Sequence, residues 1–132
     1  MSLVGYEKHA TGVSVGSAAI VVEVDRPEDS SLKKLVVKQT SGSLDGFSVT
    51  VYTNNNAANG SGTPELYKIF DSLTVAAGSD LAERYVDVPG YTIYDPDQAS
   101  GQQPTKVWVR IEPAGTGDKN FSVAVGYGIP IG

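Results

Sequence analysis

One stretch restricts this chain more than any other. In Lys106-Val107-Trp108-Val109-Arg110-Ile111-Glu112 the apolar residues Val107, Val109 and Ile111 fall at every second position. Lys106, Trp108, Arg110 and Glu112 occupy the positions between. A period of two puts these sets on opposite sides of an extended backbone, so the segment is predicted to be a strand with one buried and one wet face. The same grammar recurs. Phe47, Val49 and Val51 alternate with Ser48, Thr50 and Tyr52; Phe121, Val123 and Val125 share a side; Leu35 and Val37 oppose Lys34, Val36 and Lys38. Ile20, Val22 and Val24 keep one phase, whereas Val13 and Val15 keep the other, which predicts a bulge or break across Gly16-Ser17. Repeated half-buried strands punctuated by turns predict an all-β fold, an antiparallel β-sandwich of jelly-roll or immunoglobulin-like type.

The segments between strands fill in the plan. Asp25–Ser31 and Ser41–Gly46 read as polar turns, and Thr53–Pro64, rich in Asn, Gly and Ser, as an exposed loop. Glu65–Leu73 is compatible with a strand or a helix and is assigned as a strand; Thr74–Ala82 could hold a short helical turn before a strand over Glu83–Val88. Pro89-Gly90 opens a long loop reaching Thr105, and loops of that length in a compact domain are usually functional or interfacial. Residues 1–12 show no clear period and are predicted to be an extended arm; 13–127 form the sandwich domain; 128–132 are an apolar tail.

Composition narrows the functional classes. The chain has 132 residues, enough for one domain with its own core. It has no cysteine, so disulfides, thiolate metal sites and a cysteine nucleophile are excluded. A formal charge of -5 gains nothing from counterion release and argues against nucleic acid as a partner. The start of the chain has no basic segment leading into an apolar run, and the run Ala18–Val22 is too short to span a bilayer. The expectation is therefore a chain that is cytosolic when synthesised, with no membrane partner.

No catalytic constellation stands out. His9, the one histidine, lies on the predicted arm, and no Gly-x-Ser-x-Gly elbow exists. The reading is of a protein that is not an enzyme and needs no cofactor or metal. Asp95-Pro96-Asp97 is the best place for a calcium ion, but two carboxylates fall short of the six or more oxygens such an ion needs.

The candidate interaction residues are large side chains on nominally wet positions. Trp108 and Arg110 share the outer face of their strand, and Tyr52 has the equivalent face of its own. Aromatic and Arg residues dominate contact hot spots, although cover by a loop of the same chain accounts equally well for Trp108. Tyr91 and Tyr94 sit in the long loop, Tyr6 in the arm, and Ile129 and Ile131 in the tail.

The arm, the repeated strands with Gly, Asn and Ser turns, the absence of cysteine and the tail Ile129-Pro130-Ile131 together resemble small β-sandwich virion proteins of tailed bacteriophages, particularly head decoration (cement) proteins. The resemblance extends over the whole chain in style and rests on no specific motif. It implies a structural protein of the virion that binds and stabilises an assembled head by contacting the major capsid protein or another virion protein, commonly as a trimer. The alternative is a carbohydrate- or ligand-binding module in which Trp108, Tyr52, Tyr91 and Tyr94 form an aromatic platform.

Overall fold

The computed structural model describes residues 2–98 and 103–131, without the side chains of residues 2–4, 70–72, 130 and 131. Among these residues eight strands run in chain order: β1 (Ser2–Ser14), β2 (Ile20–Asp25), β3 (Ser31–Ser41), β4 (Phe47–Tyr52), β5 (Lys68–Val75), β6 (Leu81–Val88), β7 (Lys106–Pro113) and β8 (Lys119–Ile131). One helical turn, α1 (Asn55–Ala58), lies between β4 and β5, and 3-10 turns cover Pro64–Tyr67 and Gly90–Thr92. No helix among the described residues is long and apolar enough to cross a membrane.

The strands form two four-stranded antiparallel sheets, ordered β1-β8-β3-β6 and β2-β7-β4-β5. In this order β1 pairs with β8, β2 with β7, β3 with β6 and β4 with β5. The chain is thus one long hairpin, its turn between β4 and β5, wound into two layers. That winding is the jelly roll, so strand order decides between the two sandwiches the alternation allowed.

The phases read from the sequence hold in the central strands. Leu35 and Val37 of β3, Val49 and Val51 of β4, Val107, Val109 and Ile111 of β7, and Phe121, Val123 and Val125 of β8 are all buried in one core. Phe121 meets Phe47 across the sheets edge to face, with ring centroids 5.1 Å apart. The break at Gly16-Ser17 is where the chain leaves one sheet for the other. At that edge the apolar side chains point outward: Val13 is exposed, and the inward positions carry the small residues Ala10, Gly12 and Ser14. A Cβ on Gly12 would lie 2.7 Å from a methyl of Val22, so the two sheets meet here only because Gly12 has no side chain.

Both ends of the sandwich are closed by polar residues that continue an inward phase past the apolar run. At the end holding the β3–β4 and β7–β8 turns, Lys119 is fully buried and donates from Nζ to the carbonyls of Thr116 and Gly117, with Asp45 at 3.3 Å. Gln39 donates to the carbonyls of Ser41 and Ser43. Gly42, at a φ of 95°, lets its turn lie against Asp118 and Lys119. The Ser43 hydroxyl and Lys119 hold the Asp45 carboxyl below the ordinary carboxylate range.

The structure corrects four boundaries. The predicted arm, 1–12, is not separate over residues 2–12: β1 pairs with β8 from Ser2↔Ile131 to Ser14↔Lys119, running unbroken across position 12/13. For the same reason the predicted tail is not free over residues 128–131, because β8 continues through Gly128 to Ile131. Residues 2–4 and 129–131 pair with each other beyond the start of β3, whose ladder with β8 begins at Ser31↔Gly128. Backbone pairing needs no apolar period, which is why the sequence did not reveal it. Glu65–Leu73 begins as a 3-10 turn and becomes β5 only at Lys68, and β5 runs to Val75 where a helical turn was expected.

Phe121→Ala should cost about 4 kcal/mol in stability, by loss of buried area and the cavity left facing Phe47. Ser122→Ala, next in sequence but on the outer face, should change stability by less than about 0.5 kcal/mol. Urea unfolding of both variants checks the difference.

Candidate functional site

Three loops meet at the other end of the sandwich, where β2 and β4 finish and β7 begins: the β2–β3 turn, the β4–β5 connection and the long β6–β7 loop. Between them lies a cleft of about 590 Å³. Arg26, Glu28 and Asp29 line it from the first loop, Thr53 from the second, and Asp95, Gln98, Gln103, Pro104 and Thr105 from the third, with Trp108 of β7 alongside.

Arg26 is the residue this end is built on, and the sequence reading passed over it as part of a solvated turn. It holds the next inward position after Val22 and Val24, so it enters the interior and is only 5% exposed. Its guanidinium donates to the carbonyl oxygens of Ser30 (2.7 Å), Pro104 (3.0 Å) and Gly90 (3.4 Å), tying two loops together. Burial pulls its pKa below the usual value, opposed by Tyr127 and Asp29. Tyr127 is buried nearby, and burial drives its phenol well above the ordinary range. Arg26 Nε, Tyr127 Oη and Ser30 Oγ are buried with no hydrogen-bond partner among the described residues.

The carboxylates of the long loop work as struts. Asp95 is buried and accepts from Asn54 Nδ2 at 2.9 Å and from the Asp97 backbone N–H at 2.9 Å. Asp97 accepts from the Tyr67 hydroxyl at 2.8 Å. Asn54 is also the N-cap of α1, accepting from Ala57 N–H at 3.1 Å. Both Asp95 oxygens thus accept hydrogen bonds within the loop end, and among the described residues no group of three His, Asp or Glu side chains is gathered. Ile93, unmarked by any pattern in the sequence, anchors the same loop by inserting into the main core.

The residues proposed for contact are dispersed. Tyr52 is only 6% exposed and packs with Ala57 and Ala58 in a second cluster that Trp108, Tyr67 and Val21 flank. Arg110 donates to the Ala58 carbonyl at 2.9 Å and to Glu112 at 2.7 Å. The Asn-rich stretch is therefore not the exposed, unpacked loop expected of it: its two alanines give α1 a small apolar face that covers the outer side of β4 and β7. Tyr52 and Arg110 serve that internal packing, and Trp108 is partly covered by it. Tyr91 and Tyr94, by contrast, are 83% and 61% exposed. Tyr6 is exposed on β1, and Ile129 is half-buried on β8. The side chain of Ile131 lies outside the described residues.

No protein-family model matches this chain, and no curated protein matches it. A solved structure from work on Bacillus endospore appendages, described there as a family of disulfide-linked pili, aligns with a TM-score of 0.49 and 14% identity over 98% of this chain and 93% of that one. A likeness at this level carries no argument about function, and this chain has no cysteine.

The Tyr67–Asp97 bond makes the loop alkali-sensitive. Hydrogen bonding to Asp97 raises the Tyr67 pKa above its ordinary value near 10. The bond's contribution is therefore complete below that ordinary value and is lost as pH rises through the raised one. Tyr67→Phe should be less stable than the parent at pH 7 and should lose less stability above about pH 10. Urea unfolding across that interval checks both.

Proposed function

We propose that this chain is a non-catalytic structural protein that attaches to a larger protein assembly, and specifically that it decorates and stabilises the head of a tailed bacteriophage. The observation that carries the reading is the open edge of β1. This strand has 13 residues and, among the described residues, pairs with β8 on one side only and stands at the end of its sheet. An edge of that length presents a row of unpaired backbone donors and acceptors, the template used in strand addition. The ribbon of residues 2–4 and 129–131 runs beyond β3 and extends that edge past the sandwich. Tyr91 and Tyr94 add aromatic area that is free in the single chain. The capsid as partner, the trimeric state and the virion location come from the resemblance in sequence style.

The aromatic-platform alternative loses support, because Tyr52 is sealed beneath α1 and the four rings do not share an exposed face.

Light scattering on the purified protein should give an oligomer, with a trimer expected. Heating heads with and without added protein should show a higher melting temperature for the decorated ones. A monomer that leaves head melting unchanged would overturn the proposal.

A further inference from the structure

We propose that the cleft at the loop end binds a neutral saccharide. Its volume of about 590 Å³ lies in the range of small-molecule sites. Apart from Arg26, the polar lining is made of carboxylates (Glu28, Asp29, Asp95), amides (Gln98, Gln103) and hydroxyls (Thr53, Thr105), so it calls for a ligand whose groups both donate and accept. A hydroxyl does both, and a sugar presents several on a rigid ring.

The charge of the lining selects against anions. Glu28, Asp29 and Asp95 bring three carboxylates against the single guanidinium of Arg26. A phosphate, sulfate or uronic acid would enter against that excess, whereas hydroxyls can donate to carboxylates and amides at no electrostatic cost. Trp108 supplies the apolar element of the wall, a ring against which the C–H face of a sugar can lie. The scaffold is prepared in advance: Arg26 is fixed by three carbonyls, Asp95 by Asn54, and Trp108 by the cluster under α1. A site set before the ligand arrives loses little entropy on binding. This differs from the four-ring platform, since it uses one ring and a polar cleft, and it is independent of the capsid proposal.

Trp108 is the only tryptophan, so its fluorescence reports on the cleft directly. The probes are glucose, galactose, mannose, N-acetylglucosamine and their disaccharides, with glucuronate and inorganic phosphate as the charged arm. At least one neutral sugar should give a saturable change in emission at millimolar concentration or below, with glucuronate and phosphate binding more weakly. Gln98→Ala and Glu28→Ala alter exposed lining residues, leave the core intact and should weaken that binding several-fold. Their folding is checked by an unchanged melting temperature. Failure of every neutral sugar to saturate the signal would overturn the inference. So would tighter binding of phosphate or glucuronate, or unchanged affinity in the Gln98→Ala, Glu28→Ala double variant. Head decoration is read from light scattering and particle melting, so either proposal can fail without the other.

Discussion

The seam between the two sheets is the contact on which the rest of the molecule depends. Val, Leu, Ile and Phe side chains from β3 and β8 interlock with those of β4 and β7, and these four are the inner strands of their sheets. Burial of such side chains contributes roughly 1.5–3 kcal/mol each. Because the strands come from one wound hairpin, the seam can form only when residues far apart in sequence have met: β1 with β8, β2 with β7. The seam also dictates what happens at the rims. Any side chain that continues an inward phase past the last apolar residue must enter a closing interior and find hydrogen bonds there.

That requirement explains the polar residues of the interior. Lys119 and Gln39 at one end, and Arg26 at the other, donate to carbonyls of the adjoining loops. Each offsets the cost of its own burial and fixes the loop it touches. At the Arg26 end the anchoring goes further. Tyr67, Asp97, Asp95 and Asn54 form a relay of hydrogen bonds from the β4–β5 connection to the β6–β7 loop, and Asn54 caps the helix that covers Trp108. The cleft is the space these anchored loops enclose, while the open edge of β1 is the price of a sandwich that does not close into a barrel.

Much of the fold was legible and much of the site was not, for separable reasons. Alternation located the inner strands because side-chain direction is a local property of extended backbone. It would also have located Arg26 and Lys119 had the phase been followed past Val24 and back from Phe121. Asp95 and Asp97 were visible as carboxylates, but their use as struts was not, since Asn54 lies 41 positions from Asp95. Tyr52, Arg110 and Trp108 were correctly placed on the outer face, yet nothing in their own segments indicated that two alanines in an Asn-rich stretch would cover them.

The sequence by itself therefore determined an all-β chain with defined inner and outer faces, free of disulfide chemistry. Both follow from neighbours along the chain or from the inventory of residue types. Only the tertiary structure decided that the winding is a jelly roll, that residues 2–14 form an edge strand rather than an arm, and that Arg26 closes one end beside a cleft. Those outcomes rest on backbone pairing and on hydrogen bonds such as Arg26 to the Pro104 carbonyl, across 78 positions, where no local pattern records which partner will be met.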